Sequence, residues 1–167
     1  MRAAAQSGNR LRHYRLRFNV RLQAVLQVKV KVKVLIDTTV GPLAFRRDHP
    51  DAAPEIVELH ALSDQFCAAI IGPIRQEVLS EISSESQFET LREVLSAFVD
   101  EPFTTRDFEL TARFFKQCRA RGVQSTHTDF LIGAVGFARD IPIFTTDKDF
   151  LSYSRLSPIR LHQASRV

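Results

Sequence analysis

A strict alternation, V-K-V-K-V-K-V from Val28 to Val34, runs without interruption into Leu35 and Ile36. Period-two alternation is the signature of a strand, and a closing apolar triplet signals a segment buried on both faces. A strand covered on both sides needs helices on both sides. The rest of the chain supplies them. Ile56, Leu59 and Leu62 recur at helical spacing, and Phe66–Ile71 is a short apolar run ended by Gly72-Pro73. Pro73 suits the first position of a new helix, which carries Ile74, Val78, Leu79 and Ile82. Ser83 or Ser84 opens a helix over Glu85–Phe98. Thr104 with Asp107 resembles a capping box and starts a long helix that stops at Gly122. Thr126 or Thr128 caps a helix over Asp129–Arg139. Ile141–Thr146 reads as a strand, Lys148–Tyr153 as a helical turn and Ile159–His162 as a last strand. Alternating strands and helices predict an α/β fold, a three-layer sandwich with a mostly parallel central sheet flanked by helices.

Charge divides the chain. Residues 1–33 hold nine basic side chains and no acid; the remaining 14 Lys and Arg face all 19 acids, a net of −5. The expected organisation is a basic N-terminal extension over residues 1–30 and one folded domain over 31–163. For the extension three readings compete: a disordered tail, sequence upstream of the true start, and a mitochondrial-type presequence. No apolar run reaches the roughly 18 residues that a membrane-spanning helix needs. The expected location is the cytoplasm, with no membrane partner. Cys67 and Cys118 lack ligand-spaced companions and read as reduced, buried thiols.

In α/β sheets chemistry collects beyond the carboxyl ends of the strands. Asp37 directly follows Ile36 and Asp147 directly follows Thr146. A helix from Asp129 to Arg139 rises about 16 Å and the next strand returns about 20 Å, so Asp129 and Asp147 share a rim. Glu77 lies one turn inside the helix that follows the second strand. Four carboxylates crowded together would repel one another and raise each other's pKa. A divalent cation removes that conflict, and an all-oxygen set suits Mg²⁺ or Mn²⁺, ions that act on phosphodiesters. There is no Gly-rich phosphate loop, no G-x-S-x-G and no Cys–His pair to offer other chemistry.

The segments V-L-I-D-T-T-V (34–40), P-I-R-Q-E-V-L-S-E-I (73–82), T-D-F-L-I-G-A-V (128–135) and I-F-T-T-D-K-D-F (143–150) together resemble the signatures of the PIN domain family, most of all its VapC-type toxin ribonucleases. The likeness spans about residues 33–163. It implies that Asp37, Glu77, Asp129 and Asp147 are the metal-binding and catalytic acids, that Asp149 is an auxiliary ligand, and that Thr39 buttresses Asp37. It also implies an endoribonuclease using Mg²⁺ or Mn²⁺, an RNA substrate, a homodimer and a cognate antitoxin protein. Two features depart from the family pattern. Gly41-Pro42 stands where an aromatic residue is frequent, and the basic arm has no counterpart.

Other residues keep two readings. Arg46, Arg47 and Arg75 could touch RNA phosphates or be ordinary loop and helix charges. His127 could serve as a base or be a bystander. Phe114, Phe115, Phe130 and Phe137 could pack in the core or stack on bases, core packing being the commoner use; Tyr153 receives no role. Two rival functions remain: a PIN-fold module that binds RNA or protein without cutting, and a phosphoryl-accepting signalling domain. The second would want paired acids early in the chain, and Asp37 stands alone.

Overall fold

The computed structural model describes residues 32–40 and 53–164. The N-terminal extension over residues 1–30, the first part of the V-K alternation, Gly41-Pro42, Arg46, Arg47 and residues 48–52 lie outside the described residues.

Four strands build the sheet: β1 (Val34–Ile36), β2 (Ala68–Ile70), β3 (Val99–Asp100) and β4 (Ile143–Phe144). All pairings are parallel and the order is β3-β2-β1-β4, with Leu35 opposite both Ala69 and Ile143. The β1 and β2 residues are buried throughout, as strands covered on both faces must be. Among the described residues six helices join them: α1 (Pro54–Asp64), α2 (Gly72–Ser80), α3 (Glu85–Leu95), α4 (Thr105–Arg119), α5 (His127–Arg139) and α6 (Asp149–Leu156). From β1 the chain steps one way to β2 and β3, then recrosses the sheet to β4. Right-handed crossovers in opposite directions place their helices on opposite faces, which makes the three layers expected from the sequence. The same reversal makes the crevice between the ends of β1 and β4 the sheet's topological switch point.

Two segments differ from the sequence reading. The helix expected to reach Phe98 ends at Leu95, and Val99–Asp100 forms the edge strand β3. Leu91, Val94, Leu95 and Phe98 keep helical spacing, but β2 would be left with unpaired edge groups; the Glu101 amide donates to the Ile70 carbonyl at 2.8 Å. The last strand reduces to one parallel bridge, Ile143 to Leu161. Phe66, expected to begin β2, instead turns the chain out of α1 at φ 56° and is exposed.

Under α5 the core is aromatic. Phe130, Phe150 and Tyr153 are fully buried, with ring centroids 5.0–5.9 Å apart along Phe130–Tyr153–Phe150 and Phe114–Tyr153. Burying each such side chain contributes about 2 kcal/mol or more. Cys67 and Cys118 are free and buried.

The α4–α5 hairpin carries a capping box at each N-terminus, Thr104 with Asp107 and Thr126 with Asp129. In the first, the Arg139 guanidinium grips both Asp107 carboxylate oxygens at 3.0–3.1 Å and donates to the Pro102 carbonyl. Arg139 also approaches buried Glu101, which pairs with Lys33. Hydrogen bonds from Arg139, then from the Thr104 amide and hydroxyl, hold the Asp107 carboxyl below its usual range despite burial. A depressed folded pKa contributes stability above the unfolded value, lost as pH falls through the folded value. Arg139→Met should therefore cost about 2 kcal/mol at neutral pH, Arg139 being a quarter exposed, and should flatten the loss of stability below about pH 4. Chemical denaturation at pH 7 and pH 3.5 checks both; an unchanged pH dependence would show that Arg139 does not govern Asp107.

Candidate active site

At the switch point buried charge is left without a cationic partner among the described residues. Asp37 ends β1, its amide donating to the Phe144 carbonyl of β4 at 3.0 Å, and the residue is 1% exposed. One carboxylate oxygen, Oδ2, accepts hydrogen bonds from the hydroxyls of Thr39 and Thr145, both at 2.7 Å. Each hydroxyl in turn accepts a backbone N–H, Thr39 from Thr146 at 3.2 Å and Thr145 from Asp147 at 3.0 Å. A hydroxyl has a single proton, so both protons are committed to Asp37. Its other oxygen, Oδ1, meets the Thr38 hydroxyl at 3.5 Å, and the Thr38 backbone also acts on the carboxyl; among the described residues no cation pairs with it.

Asp129 stands at the third position of α5. Its Oδ2 accepts the Thr126 amide and the Ser125 hydroxyl, both at 2.7 Å, while Thr126 Oγ1 accepts the Asp129 amide. Asp129 thus helps cap its own helix through Oδ2, while its Oδ1 has no hydrogen bond among the described residues. The two capping-box aspartates differ in one respect: Asp107 is paired with Arg139, whereas Asp129 has no ion pair among the described residues. Glu77, in the second turn of α2, is exposed, and its carboxylate has no hydrogen bond among the described residues.

Asp129 acts on both of the other acids. Burial, then repulsion from Asp129, drives the Asp37 carboxyl above its usual range, with the two threonine hydroxyls acting in the opposite sense. Glu77 is raised by partial burial and by Asp129, Asp37 and Glu81. Asp147 reaches the same rim through Thr145, but its Oδ1 accepts the Asp149 amide at 2.8 Å and caps the first turn of α6. Asp149 is exposed as the first residue of that helix.

Among the described residues, no three histidine, cysteine, aspartate or glutamate side chains form a ready-made cation cage. The donors nevertheless fit one class of ion. Mg²⁺ keeps several waters and takes one or two carboxylates directly, so separated oxygen donors with unbalanced charge suit Mg²⁺ or Mn²⁺ better than a fully protein-coordinated metal.

Of the other residues singled out, Arg75 is occupied. Its guanidinium holds Asp100 at 2.9–3.1 Å and the Leu95 carbonyl at 3.1 Å, clamping α2 to β3. Phe114 and Phe130 are core residues, Phe115 is half-buried and Phe137 is exposed. Thr145 and Ser125, which orient Asp37 and Asp129, received no role from the sequence. Thr145 sits inside the quoted I-F-T-T-D-K-D-F segment, and a hydroxyl directly after a strand at the switch point was the available signal.

No protein-family model matches the chain, and no curated protein matches it. Solved structures do match. One is the crystal structure of VapBC2 from Rickettsia felis bound to a DNA fragment from their promoter. It is 17% identical with TM-score 0.63, covering 77% of this chain and 96% of that one. Another, DNA-bound VapBC from Salmonella typhimurium, is 13% identical with TM-score 0.64, covering 78% and 97%. A toxin–antitoxin complex from Klebsiella pneumoniae is 20% identical with TM-score 0.55, covering 71% and 90%. At these identities the likeness is one of fold: the chain has the α/β architecture of the PIN-domain VapC structures.

Proposed function

We propose that this chain is a metal-dependent endoribonuclease that hydrolyses RNA phosphodiester bonds in the cytoplasm as the toxin of a type II toxin–antitoxin pair, working as a homodimer until a cognate antitoxin protein silences it. The observation that carries the reading is the trio Asp37, Glu77 and Asp129 at the switch point, which has no ion pair among the described residues and in which Asp129 raises the charge cost of both Asp37 and Glu77. Structural proteins neutralise such charge, as this chain does at Asp107. An uncompensated cluster in a crevice is what a cation-dependent site keeps.

Asp37 and Asp129 would each offer Oδ1 to Mg²⁺ or Mn²⁺, because their Oδ2 atoms are held by hydroxyl and amide donors. Glu77 would close the set from α2, and Asp147 would join by exchanging its bond to the Asp149 amide, with Asp149 as auxiliary. When bound, the cation supplies charge neutralisation, polarisation of a phosphoryl oxygen and activation of a water. The chain's own part is orientation. Thr39 and Thr145 fix the Asp37 carboxylate plane, and the capping box fixes that of Asp129. The antitoxin follows from the toxin–antitoxin complexes that share the fold. A basic side chain of such a partner would suit the acidic crevice.

The test is cleavage of a panel of transfer, messenger and ribosomal RNAs by the purified full chain. Cutting is expected with Mn²⁺ or Mg²⁺ and is abolished by excess EDTA. Cutting that persists in EDTA removes the metal from the mechanism. RNA bound but uncut with both cations would favour a binding module of the same fold.

A further inference from the structure

The α4–α5 hairpin carries a second cluster that the acidic trio does not use. His127, the first residue of α5, lies nearly flat on the Phe115 ring, centroids 5.1 Å apart and planes 22° from parallel. The Arg119 guanidinium, one turn beyond Phe115 on α4, is 5.8 Å from the same ring centroid. Phe115 is anchored from the core by an edge contact with buried Phe130 at 5.5 Å. The stack therefore rises from the core through Phe130 and Phe115 to an exposed imidazole. Its position is fixed, because the Thr126–Asp129 capping box holds the turn from which His127 projects. The stack stands two residues from Asp129.

Core packing explains Phe115 but not an exposed ring laid parallel upon it. A second feature points the same way. Arg113, Lys116 and Arg119, spaced three residues apart along α4, are exposed, and none forms an ion pair among the described residues. Residues 34–167 are net acidic, so a basic row with no ion pair among the described residues is not the average surface. Aromatic stacking surfaces combined with a cationic track are what single-stranded nucleic acids bind, since every base has a face to stack and every linkage a charge to neutralise.

We propose that the His127–Phe115 stack is a nucleobase shelf and that Arg113, Lys116 and Arg119 form the phosphate track leading to it. The shelf would take one unstacked base of a single strand, whose linkages follow the basic row. A duplex fails because its bases are already stacked against one another. The proposal rests on the nuclease reading for the reaction, but not for the binding.

The test is made in the Asp37→Asn protein without added divalent cation, conditions in which cutting is expected to be negligible over a titration. A short oligoribonucleotide carrying 2-aminopurine is titrated as a single strand and as a duplex. The single strand is expected to bind more tightly and to lose 2-aminopurine fluorescence by stacking. His127→Ala should weaken binding by roughly five- to a hundredfold and abolish the quench, whereas His127→Tyr should preserve both. Replacing Lys116 and Arg119 together by alanine should reduce the slope of log affinity against log salt by about 1.4 and leave the quench intact. Equal binding and quench in His127→Ala, equal loss in His127→Tyr, or a duplex bound as well as the single strand would each overturn the shelf. A protein that cuts no RNA in the cation experiment would leave these titrations fully decisive, so the two proposals fail separately.

Discussion

Asp37→Asn should cut RNA roughly a thousandfold or more slowly than the parent chain, and yet be harder to unfold in metal-free buffer. Both outcomes follow from one fact: Asp37 is 1% exposed and its charge has no cationic partner among the described residues. Asparagine keeps the shape and a carbonyl oxygen to accept the Thr39 and Thr145 hydroxyls, but it offers a cation no charge. The sign of the stability change comes from proton linkage. Burial and Asp129 raise the folded carboxyl above its unfolded value. At pH values between the two, the folded state binds more protons, so stability falls as pH rises through that window and the deficit persists at neutral pH. Removing the charge should make the variant more stable than the parent at pH 7, read as a higher Tm. The gap should narrow as pH drops toward the carboxylate range, and added Mg²⁺ or Mn²⁺ should close it by stabilising only the parent. Thermal denaturation with and without cation, alongside cleavage and growth arrest, measures all of this. Retained cleavage would remove Asp37 from the chemistry; a lower Tm at pH 7 would mean that its hydrogen bonds outweigh its burial.

The contrast between Asp107 and Asp129 explains which parts of this protein are legible from residues alone. Both aspartates stand three positions after a threonine at a helix start, although the sequence alone marks a capping box only at Thr104–Asp107 and leaves the other cap to Thr126 or Thr128. What separates them is Arg139, 32 residues from Asp107, and no local signal assigns that guanidinium to one box and denies it to the other. The parallel sheet was readable because buried strands and amphipathic helices alternate along the chain. β3 was not, because two half-exposed residues after a helix carry no period, and only the open edge of β2 makes them a strand. The rim position of Asp37 was read from its place directly after Ile36, and that of Asp129 from the lengths of the helix and strand that lead to Asp147. The hydroxyls of Thr145 and Ser125 did not, since a threonine or serine near a strand or helix end has many uses, and choosing among them requires the carboxylate it faces. The same limit hid the His127–Phe115 stack, whose two members lie on different helices.

Gly133→Ala should destabilise the protein by about 3 kcal/mol, against the local rule. In an open helix this change gains roughly 1 kcal/mol, because alanine loses less backbone freedom than glycine. Here the added Cβ would lie 2.4 Å from the Tyr153 hydroxyl oxygen, 2.5 Å from Cε1 and 2.7 Å from Cζ. Those are ring atoms of a side chain with no exposure, wedged among Phe114, Phe130 and Phe150, so the ring cannot swing aside without disturbing three neighbours. Gly133 also sits one helical turn after Asp129, so relief by lifting α5 would carry the carboxylate off the rim. Cleavage should therefore fall in Gly133→Ala even at temperatures where the variant is folded. Tyr153→Leu removes the obstructing ring at the cost of a cavity. The double variant should then be more stable than the sum of the two single losses by about 2 kcal/mol. Urea denaturation of the four proteins measures that coupling. An additive cycle would show that the glycine answers to something other than the tyrosine, and a stabilised Gly133→Ala would show that α5 has more room than its contact with Tyr153 allows.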